Sequence, residues 1–178
     1  MKTYKMKIAG LERELRVFPI NDDVSIAAFI LFGDPEIAVA SAAELLKKVP
    51  EFDVILTPEA KSIPLAHEMS RQSGKKYIVA RKGPKLYMGK TFSVEVKSIT
   101  TDKVQKLYIG EYDVEELKGK RVLIVDDVIS TGESLIAIKE LANKAGANVV
   151  ASAAVLAEGD ASKRDDIIFL EPLPLITK

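Results

Sequence analysis

The sequence predicts an α/β fold built on a central parallel sheet with flanking helices. An apolar segment, a loop of small or polar residues and a helical pattern follow one another three times along the chain. The apolar segments are continuous rather than alternating, which is typical of strands buried on both faces. Strands that alternate with helices favour right-handed crossover connections. We therefore expect a Rossmann-like sheet within one domain spanning residues 1–178.

The elements of this sheet can be assigned in order. Short apolar runs predict four strands, at residues 54–56, 77–80, 122–125 and 149–156. Helical spacing predicts three helices, over residues 36–49, 62–73 and 135–145. Asp34 is suited to cap the first helix, because its side chain can accept a bond from a free N–H, and Pro35 fits its first turn. Gly74 and Gly146 end the other two helices.

Two regions fall outside the alternation of strands and helices. Residues 91–108 alternate apolar and polar side chains on both sides of a Thr-Thr-Asp turn, which predicts a β-hairpin lying off the main sheet. Residues 1–30 and 157–178 are mixed in character and contain proline, so we expect them to form a small accessory layer. The core of the domain is then expected within residues 31–156.

Composition excludes several classes of protein. Lys plus Arg and Asp plus Glu both number 26, so zero net charge argues against a basic nucleic-acid binder. The absence of cysteine excludes disulfides, cysteine-zinc sites and thiol catalysis. No apolar run reaches the roughly 18–20 residues that a membrane span needs, and the N-terminus lacks the apolar core of a signal peptide. We expect a cytoplasmic protein with neither nucleic acid nor membrane as a partner.

The stretch VLIVDDVISTGES, residues 122–134, carries the strongest chemical signal. Asp126 and Asp127 come at the carboxyl end of a buried strand, which faces the ligand crevice in open α/β sheets. A loop of small and hydroxyl residues then opens a helix, whose free N–H groups and dipole attract phosphate. A sugar phosphate bound with Mg²⁺ satisfies both halves of this site. The alternative is that the Asp pair supplies a helix cap and a surface charge.

This stretch resembles the signature of type I phosphoribosyltransferases, which bind 5-phosphoribosyl-1-pyrophosphate (PRPP). The resemblance implies that Asp126 and Asp127 contact the ribose hydroxyls and act in catalysis. It assigns the 5′-phosphate to the loop of Ser130, Thr131, Gly132, Glu133 and Ser134. Glu133 and Ser134 stand where Gly-Thr is common in the family, and we expect the Glu133 side chain to point to solvent.

Two further segments resemble the adenine phosphoribosyltransferase-like branch. TPEAKSIP, residues 57–64, is similar to a pyrophosphate-binding loop that often contains a cis non-proline peptide; the residues carried over are Glu59, Ala60, Lys61 and Ser62. ARKGPKLYMG, residues 80–89, is similar to a basic segment that stabilises the leaving pyrophosphate; the residues carried over are Arg81, Lys82 and Lys85. Without the resemblance, residues 57–64 would be interpreted as a strand-to-helix turn capped by Ser62, and residues 80–89 as a solvated basic turn.

The remaining segments match parts that cover the substrates in this family. The hairpin corresponds to a mobile flap, about residues 86–110, and the two termini correspond to a hood over the base. The resemblance makes Phe18 a candidate to stack on the base, with Val128 and Glu158 beside it. For Phe18, a place in a small core is the alternative interpretation.

The resemblance as a whole implies a purine phosphoribosyltransferase of purine salvage. A purine base, adenine by first expectation, displaces pyrophosphate from PRPP to give a nucleoside monophosphate. Mg²⁺ is the implied cofactor, held by PRPP and reached by Asp126 and Asp127 through water, and a homodimer is the implied assembly. The flap sequence is closer to xanthine phosphoribosyltransferases and purine repressors, so a xanthine, hypoxanthine or guanine enzyme and a non-catalytic PRPP-binding regulator stay open. A P-loop kinase is excluded, because no G-x-x-x-x-G-K-[ST] motif is present.

Overall fold

The computed structural model describes residues 2–97 and 104–177. The strands in chain order are β1 (Thr3–Ile8), β2 (Leu11–Pro19), β3 (Val24–Ala28), β4 (Val54–Pro58), β5 (Lys76–Ala80), β6 (Thr91–Lys97), β7 (Val104–Gly110), β8 (Arg121–Ile129), β9 (Asn148–Glu158), β10 (Ile168–Leu173) and β11 (Ile176–Thr177). The α-helices are α1 (Pro35–Leu46), α2 (Ile63–Ser73), α3 (Glu111–Leu117) and α4 (Glu133–Lys144). The expected α/β fold is confirmed.

A five-stranded parallel sheet forms the centre, in the order β10-β9-β8-β4-β5. Successive residues of its strands enter opposite cores, as the alternation of strand side chains requires. Ile55 and Leu123 pack in the core that holds α1 and α2, whereas Leu56 and Ile124 pack in the core that holds α4 and the hairpin. All four side chains are at most 1% exposed, which explains the continuous apolar runs in the sequence.

The helix signals locate the helices well at their starts. Asp34 caps α1, with its Oδ1 accepting a 3.1 Å bond from the Ile37 N–H, and the helix ends at Leu46, earlier than the predicted residue 49. Gly74 ends α2 in the left-handed conformation, at φ 71°. Helix α3 is a short element that the sequence pattern did not predict.

Strand β8 is longer than its apolar run. It continues to Ile129, so Asp126 and Asp127 lie within the strand rather than in the loop after it. Backbone pairing with β9 continues past both acids, to the pair of Ile129 with Ala157. The acids are therefore held on a rigid element.

Two smaller sheets lie apart from the central one. Strands β6 and β7 form the expected antiparallel hairpin, whose predicted Thr-Thr-Asp turn lies outside the described residues. Strands β1, β2, β3 and β11 form a four-stranded sheet from the two ends of the chain. Of the C-terminal segment, β10 joins the central sheet instead. Within the described residues, no helix is long and apolar enough to span a membrane.

Candidate active site

A cavity of about 610 Å³ opens at the carboxyl ends of β4 and β8. Its walls come from the loop after β4, the acids of β8, the start of α4 and strand β7 of the hairpin. Ten of the residues singled out from the sequence line it: Glu59, Ala60, Lys61, Ser62, Lys82, Asp126, Asp127, Val128, Glu133 and Ser134. The fold thus brings the segment before α2 and the segment before α4 to one site.

The acid pair forms the floor of this cavity. The Asp127 side chain is 6% exposed, and Lys61 Nζ lies 2.8 Å from its Oδ2. The Asp127 N–H donates a 2.8 Å hydrogen bond to Asp126 Oδ1. Burial, and then the neighbouring charge of Asp127, raise the pKa of Asp126 well above its ordinary value. Two neighbouring carboxylates thus lie at this edge of the sheet, with Lys61 as the cation beside them. This arrangement suits ligands that bring hydroxyl groups or positive charge.

Hydroxyl groups fix the loop after β4 to the strand that carries the acids. The Thr57 hydroxyl donates to the Val125 carbonyl oxygen at 2.7 Å, and the Ser62 hydroxyl donates to the Pro58 carbonyl oxygen at 2.6 Å. The two hydroxyl oxygens lie 2.8 Å apart, and both residues are buried. The Glu59–Ala60 peptide is cis, as expected from the resemblance. Ser62 therefore has a structural role in the loop, and its hydroxyl faces the protein.

The basic segment after β5 is tied to the same loop through Glu59. Arg81 Nε lies 2.7 Å from Glu59 Oε2, and the Lys82 N–H donates to Glu59 Oε1 at 2.6 Å. Burial acts to raise the pKa of Glu59, but the Lys82 N–H and Arg81 together bring it below its ordinary value. Lys82 lines the cavity, whereas Lys85 is exposed and lies outside its lining. Glu59 thus orients the Arg81 guanidinium and the backbone at Lys82, and as an anion it is unsuited to touch a pyrophosphate itself.

The loop before α4 has the geometry of an anion cradle. Gly132 adopts φ 83°, a left-handed conformation that places the following N–H groups at the start of the helix. Ser130 and Thr131 are exposed, and Ser134 lines the cavity. Glu133 is half-buried and also lines the cavity, so the expectation of a fully solvent-directed side chain is not confirmed.

The residues assigned to the base are not gathered in one place. Val128 lines the cavity beside the acids. Phe18 lies on β2 of the four-stranded sheet with 45% of its surface exposed, which rules out the alternative of a buried core position. Glu158 ends β9, and neither Phe18 nor Glu158 lines the cavity.

The hairpin forms part of the cavity wall, as its resemblance to a flap over the substrates implies, but its lining residues were not singled out from the sequence. Gln105, Lys106 and Leu107 of β7 line it. Gln105 Oε1 accepts a 3.0 Å bond from the Ser134 hydroxyl, and Lys106 pairs with Glu95 on β6. The resemblance pointed to the hairpin as a whole, and the alternation of polar and apolar residues in β7 signalled that one face of the strand would be directed away from the core.

The carboxylates of the cavity fit a magnesium ion that binds together with a substrate. The described residues contain no group of three or more side chains able to hold a metal ion by themselves. Mg²⁺ keeps most of its waters and is usually bound through one or two carboxylates together with substrate phosphates. Asp126 and Asp127 supply that number of carboxylates at the edge of the cavity.

Comparison with known proteins agrees with this geometry. The family model for a phosphoribosyl transferase domain matches residues 35–173. A hypoxanthine/guanine phosphoribosyltransferase of Methanotorris igneus is 34% identical over 152 residues, which cover 84% of this chain and 76% of the relative. An adenine phosphoribosyltransferase of Petrotoga mobilis is 30% identical, covering 82% and 84%. The crystal structure of the Thermoanaerobacter pseudethanolicus adenine phosphoribosyltransferase superposes with a TM-score of 0.74 at 24% identity, covering 89% of this chain and 95% of that one.

Proposed function

The chain belongs to the phosphoribosyltransferase family, and from this premise we propose that it transfers the 5-phosphoribosyl group of PRPP to a purine base. The products are a nucleoside monophosphate and pyrophosphate. One observation carries the proposal: the acid pair, the anion cradle before α4 and the cationic loop after β4 meet in one cavity. PRPP presents a ribose between a 5′-phosphate and a pyrophosphate, and each of these three groups has a chemically matching wall.

The assignment of the walls follows from charge. The 5′-phosphate accepts hydrogen bonds from the N–H groups of the loop 130–134. The ribose hydroxyls donate to Asp126 and Asp127, which fixes the ring in place. The pyrophosphate takes the place beside the loop after β4, where Lys61 and Lys82 line the cavity. Arg81, through its ion pair with Glu59, and the Ser62 hydroxyl hold that loop in shape.

The proposed reaction breaks the bond between C1 of the ribose and the pyrophosphate oxygen, and a ring nitrogen of the base forms the new bond to C1. Positive charge develops on the ribose as the pyrophosphate leaves with the bonding electron pair. The carboxylates of Asp126 and Asp127 favour that charge, and Lys61 and Lys82 favour the charge on the leaving group. The base loses its ring N–H proton to water, which completes the nucleotide.

Magnesium is part of this proposal as a partner of PRPP. Asp126 and Asp127 are the residues that would hold it, through water, and the ion would neutralise charge on the pyrophosphate. The pairing of Asp127 with Lys61 leaves Asp126 as the carboxylate without a cationic partner within the ion-pair distances of the described residues.

The choice of base is the finer part of the proposal. The sequence favours adenine through its pyrophosphate loop, and the Petrotoga relative carries that name. The Methanotorris relative and others at 31–33% identity are named hypoxanthine/guanine phosphoribosyltransferases. These bases differ in the hydrogen-bonding groups at their edges. A binding site can distinguish such groups strongly, because a mismatched base leaves buried polar groups unpaired. We therefore propose purine specificity, with adenine and the two 6-oxopurines as the acceptors to be compared.

A homodimer is the proposed assembly. Ile30, Phe32 and Val39 lie before or at the start of α1, and each is 44–53% exposed. Exposed large apolar side chains that lie close together in the sequence are candidates for such an interface. Light scattering coupled to size-exclusion chromatography tests this assembly, and a monomeric mass at micromolar concentration would contradict it.

A panel assay tests the function. Purified protein, Mg²⁺ and PRPP are mixed with adenine, hypoxanthine, guanine, xanthine, orotate or uracil, and pyrophosphate release is followed. We expect release with at least one purine and none with the pyrimidines. Calorimetric binding of PRPP without release for any base would instead support the regulator, and activity with a pyrimidine alone would overturn the purine assignment.

A further inference from the structure

Arg164 lies against the anion cradle although it comes from a distant part of the chain. It follows the short 3₁₀ turn Gly159–Lys163 after β9. A Cβ atom built on Gly132 would stand 2.6 Å from Arg164 Nη1, so the guanidinium occupies the space that any larger residue at position 132 would need. The sequence motif before α4 gives no sign of this neighbour.

Asp166 fixes the orientation of that guanidinium. Arg164 Nε and Nη2 donate to the two carboxylate oxygens of Asp166 at 2.8 and 2.7 Å, a forked arrangement that holds the planar group rigidly. Its remaining nitrogen, Nη1, is the one directed to Gly132. Lys139 Nζ of α4 lies 3.8 Å from Asp166 Oδ2. One carboxylate thus faces two cations, and the cluster keeps a net positive charge beside the cradle.

We propose that Arg164 is a positioning residue of the 5′-phosphate subsite, which holds the loop at Gly132 and adds a fixed positive charge to it. The inference rests on the proposed function, because it names the phosphorylated end of the same substrate. Its consequence is selectivity: the enzyme binds a pentose that carries a 5′-phosphate much better than one that lacks it. Arg164 supplies part of that preference from outside the sequence motif.

A purely structural role for this ion pair would change the free energy of unfolding rather than phosphate binding. The Arg164 and Asp166 side chains are 33% and 51% exposed, and exposed ion pairs contribute little to the free energy of unfolding. Loss of Arg164 should therefore change phosphate binding while the melting temperature stays almost unchanged. Arg71 offers a matched control, since it is an exposed arginine paired with Glu68 on α2 and lies outside the cavity lining.

The test measures the binding of two probes by isothermal titration calorimetry. Ribose 5-phosphate carries the group at issue, whereas pyrophosphate is assigned to the other end of the cavity. We expect Arg164→Gln to weaken ribose 5-phosphate binding about 10-fold or more, because the loop loses its support at Gly132 and the subsite loses a fixed positive charge. Pyrophosphate binding should stay within about twofold, Arg164→Lys should restore part of the loss, and Arg71→Gln should bind both probes like wild type.

A double-mutant comparison tests the contact with Gly132 separately. Gly132→Ala should cost less in ribose 5-phosphate affinity in the Arg164→Ala background than in wild type, because the colliding guanidinium is gone. Equal ribose 5-phosphate affinity in wild type and Arg164→Gln overturns the inference and leaves the proposed function standing. If the wild-type protein binds neither ribose 5-phosphate nor PRPP, the proposed function itself is overturned.

Discussion

Lys61 Nζ lies 2.8 Å from Asp127 Oδ2, and this ion pair joins the loop after β4 to the acid pair on β8. Lys61 is 53% exposed, whereas Asp127 is 6% exposed, so the lysine reaches from the cavity rim to its floor. A single long, flexible side chain therefore stands between the proposed ribose and pyrophosphate positions. It can exchange its carboxylate partner for an incoming pyrophosphate without movement of the backbone.

Lys61→Gln should lower kcat/KM for PRPP by roughly 10- to 100-fold, because a charge-assisted contact to the leaving group is lost. Steady-state kinetics at varied PRPP concentration measures this. Lys76→Gln is the matched control: Lys76 forms an exposed ion pair with Glu116 at the start of β5, far along the strand from the cavity, and its loss should leave kcat/KM unchanged. Equal kinetics for the two variants would remove Lys61 from the proposed mechanism.

Asp126→Asn and Asp127→Asn should each lower turnover by roughly 10²–10³-fold, because the developing charge on the ribose loses a carboxylate. The amide keeps the shape of the side chain, and in Asp126→Asn it can still accept from the Asp127 N–H. Burial raises the pKa of Asp126, so its charge is unfavourable to the folded state at neutral pH, and Asp126→Asn should melt no lower than wild type. Pyrophosphate release and thermal melting are measured on the same samples; near wild-type turnover in the double variant would refute the role of the pair.

Thr57→Val should destabilise the protein by about 1–3 kcal/mol, because the buried Val125 carbonyl oxygen loses the hydrogen bond that the Thr57 hydroxyl donates to it. Since Thr57 ties the loop after β4 to β8, the KM for PRPP should rise as well. Thr57→Ser keeps the hydroxyl and should recover most of the binding. Urea unfolding measures the stability change. If Thr57→Val shifts stability but leaves KM unchanged, the bond serves the fold alone.

The sequence was sufficient for four of the five strands of the central sheet and for the two loops that line the cavity, but not for β10 or for what covers the cavity. Continuous runs such as 122–125 predict buried strands because both faces of the sheet are covered by helices or the hairpin. The end of β8 was missed, because Asp126 and Asp127 look like a loop although their backbone stays paired with β9. Gln105 and Arg164 were missed because their contacts are distant in sequence. Gln105 is 29 residues from Ser134, and Arg164 is 32 residues from Gly132. Local sequence patterns carry no signal for contacts at such separations.

Phe18 lies outside the cavity lining, but the resemblance makes it a candidate to stack on the base, and on that assignment Phe18→Ala should raise the KM for the purine about 10-fold. Because 45% of the side chain is exposed, its removal should cost little stability. Phe18→Tyr keeps the aromatic face and serves as the control. The KM for PRPP should not change in either variant, and an unchanged KM for the base in Phe18→Ala would leave base stacking to another residue.

Asp34 provides a test of how charge supports the fold away from the cavity. Its hydrogen bonds with Arg13, at 2.7 and 3.1 Å, are the main cause that lowers the pKa of Asp34 below its ordinary value of 3.8. A carboxyl with a lowered pKa in the folded state adds stability above its unfolded pKa, and that stability is lost as pH falls through the folded value. The stability advantage of wild type over Asp34→Asn should therefore be constant from pH 5 to 8 and should shrink below about pH 4.

Asp34→Ala also loses the bond to the Ile37 N–H, so it should be less stable than Asp34→Asn by about 1 kcal/mol at every pH. Urea unfolding across this pH range measures both effects, and an advantage over Asp34→Asn that persists undiminished at pH 3 would show that the Arg13 pair is not its source.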